Sequence, residues 1–214
     1  MPPKKKKART AASSSEQDPA DLIFEPFLYL GPQSAATSLP FLTTKAITHV
    51  ISLGCPNTPT PEHFKDPSKT HLKLPLNDSS SGVPIRATVS RGVIFIREAV
   101  ASNPNAKVLV HCKAGISRSS TVVAAYLMQE QRMSLRAGLA LIIQKREQAY
   151  PNPGFLEQLK EMEVELFGLE AATISVAKLP LSRAEKLKLL QEESIESSDI
   201  PEVSERQEIT MGPQ

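Results

Sequence analysis

Lys107-Val108-Leu109-Val110-His111-Cys112-Lys113-Ala114-Gly115-Ile116-Ser117-Arg118-Ser119 passes through three kinds of local structure in thirteen residues. Val108, Leu109 and Val110 predict a strand, and a run apolar on both faces belongs at the centre of a helix-flanked sheet. Residues 119–131 carry Val122, Val123, Ala124, Ala125, Leu127 and Met128, apolar on most faces, which predicts a buried helix. A short loop containing Gly115 lies between. Such a strand–loop–helix turn can aim successive backbone N–H groups inward, and the helix N-terminus adds donors and partial positive charge. Arg118 supplies a planar cation that matches two phosphate oxygens. The loop therefore suits a phosphate dianion cradled by the backbone of Lys113, Ala114, Gly115, Ile116 and Ser117. The same field acts on Cys112. A free thiol has a pKa of about 8.5, and helix N-termini and nearby cations lower it to about 3.5–7.5. The expectation is a thiolate aimed at the anion site, with Gly115 placed where positive φ or close backbone approach is required.

Working outward, three more strands are expected. Phe27-Leu28-Tyr29-Leu30 closes at Gly31-Pro32, residues 47–53 are β-branched and apolar, and His71-Leu72-Lys73-Leu74 alternates before Pro75. Helices are expected over 85–100, from the N-cap Ser134 through Ile143, and over 155–167 with a stop near Gly168. Pro151-Asn152-Pro153-Gly154 separates the last two. This order predicts one α/β domain, a central mixed sheet of four to five strands flanked by a cluster of helices. Residues 1–20 read as a disordered basic arm, 21–170 as the folded domain, and 171–214 as a largely disordered acidic tail in which residues 187–190 could nucleate a short helix.

The chain has 214 residues and a net charge of +2, which argues neither for nor against nucleic acid. Residues 1–20 carry five Lys or Arg against two Asp or Glu, and residues 181–214 carry four against eight, so the ends differ in sign. Lys4-Lys5-Lys6-Lys7 is a candidate contact for a nuclear import receptor. No apolar run reaches membrane-spanning length, and no apolar stretch follows the basic N-terminus. Two cysteines, Cys55 and Cys112, suit a reducing nuclear or cytoplasmic setting better than a secreted scaffold.

His111-Cys112 followed by five residues and Arg118-Ser119 resembles the signature of the cysteine-dependent protein tyrosine phosphatases, and the Ala-Gly-Ile-Ser-Arg-Ser form is similar to the dual-specificity branch. Leu28-Tyr29-Leu30-Gly31, Ile47-Thr48-His49-Val50 and residues 151–159 fall in that branch's order, so the resemblance covers about 26–167. It implies a protein tyrosine phosphatase-like fold and hydrolysis of phosphoserine, phosphothreonine and phosphotyrosine in protein substrates, without metal or other cofactor. By that resemblance Cys112 is nucleophile, Arg118 the phosphate clamp and Asp78, 34 residues before Cys112, the general acid. Asp66 is its nearest rival, and Gly82 is the expected hinge of the Asp78 loop. Ser119 is expected to hydrogen-bond the sulfur, His111 to prop the loop, and Asn152 to brace the site from outside. Other readings are a phosphoinositide or RNA 5′-phosphate phosphatase, or a phosphate-binding module without turnover. Against inositides, Ile116 stands where such enzymes often carry a second lysine. Cys55 reads as an ordinary thiol, or more sharply as a partner for oxidised Cys112.

Overall fold

A computed structural model describes residues 18–55, 61–79, 84–180 and 182–192. Five strands form one sheet: β1 (Asp21–Phe24), β2 (Leu28–Pro32), β3 (His49–Leu53), β4 (Thr70–Leu74) and β5 (Val108–Cys112). Their spatial order is β1-β2-β5-β3-β4. β1 is antiparallel to β2, and every other pairing is parallel. β5 is buried along its whole length, as its apolar run predicts.

The period-2 alternation of strands divides the core into two layers. Leu28, Leu30, Ile51, Leu53, Val108 and Val110 face the larger cluster. That layer is covered by α3 (Arg86–Ser102), α4 (Arg118–Gln131), α5 (Leu135–Lys145) and α6 (Pro153–Phe167), where we number helices from α1 (Gln33–Thr37) and α2 (Leu39–Thr44). Tyr29, Val50 and Leu109 point the other way, onto Ala35, Ala36, Phe41 and Leu42 of α1 and α2. Helix α4 is buried from Arg118 to Met128, since it lies between the sheet and its neighbouring helices. The expected boundaries at Ser134 and Gly168 hold. Ser134 accepts from Ala137 N, and Gly168 ends α6 in the left-handed region at φ 65°.

Four short elements escape the sequence pattern. β1 has four residues, α1 and α2 have five and six, and a 3-10 turn spans Pro61–Lys65. None is long enough to show a period. The expected strand at 47–53 begins its ladder only at His49, because Ile47 is spent under α2.

The folded unit also runs past the expected boundary at 170. Ile174, Leu179 and Leu190 are buried, and α7 (Arg183–Glu192) packs on α5. The fully buried Glu163 makes this possible. Its carboxylate accepts from Leu135 N at 2.6 Å, Thr173 N at 2.8 Å and Thr173 Oγ1 at 2.7 Å. Lys186, 1 % exposed, stands 4.3 Å above the Tyr150 ring and donates to Glu147 O at 3.4 Å. An acidic, serine-rich composition hid these few apolar anchors. The basic run at 4–7, the loop glycine Gly82 and the acidic residues beyond 192 lie outside the described residues. Among the described residues, no helix is long and apolar enough to cross a membrane.

Candidate active site

β5 ends at Cys112 and α4 begins at Arg118, so five residues make the turn. Gly115 takes φ +67°, and a Cβ there would come within 2.6 Å of Gly31 O and Pro32 N. Both reasons for glycine anticipated from sequence therefore operate at once. The carbonyls of the turn are accounted for one by one. Lys113 O accepts from Gln33 N at 3.2 Å, and Ala114 O and Gly115 O accept from Arg146 Nη2 at 3.4 Å and Nε at 2.8 Å. Ile116 O accepts from Tyr150 N at 3.1 Å and Ser120 Oγ at 2.5 Å. Ser117 O takes Thr121 N and the hydroxyls of Ser120 and Thr121. In a trans peptide the N–H points opposite the carbonyl. Tying each oxygen outward therefore turns the amides of the loop inward, onto the space above the sulfur.

Cys112 is 1 % exposed. Burial pushes its thiol up, but the Ser119 hydroxyl, the Ser119 and Ile116 amides and the Arg118 charge outweigh burial, leaving it below the ordinary thiol value. The Ser119 hydroxyl lies 3.4 Å from the sulfur, where the family resemblance puts it. Ser119 is the second residue of α4, and its neighbour Ser117 holds the cap position.

Arg118 is 8 % exposed, and its Nη1 is anchored on the carbonyls of Leu53, Gly54 and Leu76 at 3.2–3.5 Å. That leaves the Nε–Nη2 edge of the fork for an oxyanion. Gly54, at φ +59°, is required here because a Cβ would overlap Arg118 Nη1 and Leu76 O. Asp78 reaches the same place across the loop. Its Oδ2 stands 3.6 Å from Arg118 Nε, while Oδ1 accepts from Ser117 Oγ at 2.7 Å and Asn152 Nδ2 at 2.9 Å. Asn152 also caps α6, accepting from Phe155 N at 3.0 Å, and its own N–H donates to Ser117 Oγ at 3.1 Å. The rival Asp66 is committed elsewhere. It accepts from Ser68 N and Oγ and pairs with Lys69.

His111 is fully buried, and its Nε2 lies 2.5 Å from Ser52 Oγ while Nδ1 lies 3.4 Å from Cys112 O. Burial lowers its pKa to about 4, so it is neutral and contributes through hydrogen bonds alone. Sequence reasoning missed Arg146, Ser52 and the Ser117 hydroxyl. Arg146 is buried and pairs with Asp21 Oδ2 at 2.7 Å. An arginine just after a helix reads as a surface charge, and its contacts lie 31, 32 and 125 residues away. Cys55 is buried, free and donates to Leu53 O at 3.5 Å. Burial raises its pKa against the lowering charges of Arg118 and Lys113.

A depressed thiol beneath inward amides, with an arginine fork and a carboxylate facing it at the carboxyl ends of the parallel strands of a mixed sheet, places the chain in the class of cysteine-dependent phosphatases. The family description "Dual specificity phosphatase, catalytic domain" matches residues 28–165, well over half the chain, and the chain belongs to that family. It is 34 % identical over 149 residues to Dual specificity protein phosphatase 1B of Arabidopsis thaliana, covering 66 % of this chain and 80 % of that protein. It is 35 % identical over 158 residues to MAP kinase phosphatase with leucine-rich repeats protein 3 of Dictyostelium discoideum, covering 73 % of this chain but only 17 % of that protein. A crystal structure of a mouse dual specificity phosphatase complexed with zinc tungstate superposes with TM-score 0.64 at 27 % identity, covering 73 % of this chain and 94 % of that one.

Proposed function

We propose that this chain hydrolyses phosphoserine, phosphothreonine and phosphotyrosine monoesters of proteins through a phosphocysteine intermediate on Cys112. The observation that carries the reading is the outward anchoring of successive loop carbonyls, from Lys113 O to Ser117 O, above a buried sulfur with lowered pKa. Donors fixed in advance stabilise developing charge without reorganising during the reaction.

In the first step the Cys112 thiolate attacks phosphorus in line. The S–P bond forms, the ester P–O bond breaks, and Asp78 gives its proton to the departing oxygen. Charge on the equatorial oxygens is met by the loop amides and the open edge of Arg118. In the second step the Asp78 carboxylate takes a proton from water as that water attacks phosphorus. The S–P bond breaks, phosphate leaves, and the Ser119 hydroxyl stabilises the returning thiolate from 3.4 Å. This chemistry calls for no metal or cofactor. A nuclear import receptor reading Lys4-Lys5-Lys6-Lys7 belongs to the same proposal, with a nuclear and cytoplasmic distribution.

Phosphate release from p-nitrophenyl phosphate, absent in Cys112→Ser, separates turnover from mere binding. A panel of phosphopeptides, phosphoinositides and 5′-triphosphorylated RNA then sorts the substrate classes. Preference for inositide or RNA over every phosphopeptide would overturn the protein-substrate assignment. Lys4→Ala with Lys5→Ala, Lys6→Ala and Lys7→Ala in a fluorescent fusion tests import: an unchanged nuclear fraction removes it.

A further inference from the structure

Three residues on neighbouring strands share one face of the sheet behind the nucleophile. Ser52 of β3 is the direct partner of His111 of β5. His71 of β4 is paired with Val50, two residues before Ser52 and on the same face, so it approaches diagonally. Ser52 Oγ lies 2.8 Å from His71 Nε2 and 2.5 Å from His111 Nε2, and His111 Nδ1 faces Cys112 O.

We propose that Ser52 and His71 are positioning residues for the nucleophile, joined to His111 in a one-way hydrogen-bond chain that runs from the edge strand across the sheet to the backbone of Cys112.

The direction follows from donor arithmetic. A carbonyl oxygen only accepts, so His111 Nδ1 carries the proton shared with Cys112 O. A neutral imidazole then has a bare Nε2, which accepts from the Ser52 hydroxyl. Ser52 has only that one proton, so its remaining contact is filled by a proton on His71 Nε2. The chain reads His71 Nε2–H to Ser52 O–H to His111 Nε2, then His111 Nδ1–H to Cys112 O. Reversing any link leaves two lone pairs, or two protons, facing each other. Burial lowers both histidines to about 4, so each ring holds a single proton at neutral pH. The groups bearing on His71 are Lys73 on its own strand, His111, and the Phe64 ring stacked on it at 5.3 Å from the 3-10 turn; none is acidic.

The consequence sits in the peptide between Cys112 and Lys113. Its oxygen lies against His111 Nδ1, whose ring is on the sheet face opposite the Cys112 side chain, and the N–H of that peptide points the other way, toward the anion ring. It is the first peptide of the loop, and the chain extends to it the anchoring that Gln33, Arg146, Tyr150 and Ser120 give the next four.

The chain rests on the proposed role of Cys112 only for its effect on reactivity, and the two are tested apart. Long-range 15N–1H NMR on the full chain reads the tautomers with no turnover required. The expected result is His111 protonated at Nδ1 and His71 at Nε2, and the opposite tautomer at either ring overturns the proposal. Iodoacetate alkylation of Cys112 against pH provides the second readout. Ser52→Ala and His71→Leu should shift the alkylation midpoint upward and slow the reaction at pH 6 several-fold. Ser52→Thr and His71→Gln, which restore a donor at the same place, should return it to the parent value. Equal alkylation of all five proteins overturns the positioning role. Loss of phosphate release with both results intact sinks the phosphatase reading and leaves the chain standing.

Discussion

Asp78 offers its two oxygens to different company. Oδ1 accepts from both Ser117 and Asn152, whereas Oδ2 faces Arg118 and the phosphate space. An oxygen already receiving two donors has little room for its own proton, so on the proposed mechanism the transferable proton rides on Oδ2. Asp78→Ala should lower kcat by about 10²- to 10³-fold, within the usual range for losing a general acid. Asn152→Ala and Ser117→Ala should act more subtly. Their rates should fall about tenfold for aryl phosphates with poor leaving groups and hardly at all for activated ones, as Oδ2 loses its aim. A uniform loss across leaving groups would mean that both side chains serve only the fold. Ser119→Ala should slow the second step, visible as a burst of p-nitrophenol that exceeds steady-state turnover.

At the level of elements, the loop is shaped by its neighbours more than by its own residues. Arg146 follows α5 and ties two loop carbonyls to Asp21 of β1, which precedes the family match. Lysine has one compact donor head and cannot replace a fork that spans three acceptors. Arg146→Lys and Asp21→Asn should each weaken vanadate binding, by about tenfold and a few-fold respectively, measured by competition against substrate. An unchanged vanadate affinity in Arg146→Lys would show that the loop holds itself. The division between legible and hidden features has the same origin. Strands β2, β3 and β5 could be read because alternating residues such as Leu28, Tyr29 and Leu30 sort themselves onto opposite faces. Cys112 and Arg118 could be read because their spacing is local. Asp78 was found only through the family resemblance, by its distance of 34 residues before Cys112. Arg146, Ser52 and His71 stayed hidden because their meaning lies in partners 19 to 125 residues away, and no periodicity encodes a contact of that range.

The whole molecule carries a pH dependence from its histidines: burial lowers all four, His71 and His111 furthest. His71 and His111 fall from 6.5 to about 4 on folding, so between those values the unfolded chain binds more protons. Stability should be intact above about pH 6.5 and decline as pH falls toward 4. Urea midpoints measured from pH 7.5 to 4.5 should show this fall, and His71→Gln should flatten part of it; an equally steep curve in that variant would assign the fall to other groups. The C-terminal segment is equally part of the molecule. Glu163→Ala leaves the Leu135 and Thr173 amides without their carboxylate, at a cost of about 2–4 kcal/mol, or roughly 5–15 °C in Tm by calorimetry. The recognisable family stretch ends at 165, yet Ile174, Leu179, Lys186 and Leu190 are buried against what precedes them. A fragment trimmed to that familiar border would bare a greasy flank beside Tyr150, whose amide holds Ile116 O. Sluggish turnover from such a fragment would be a dissection injury, easily mistaken for a dead enzyme.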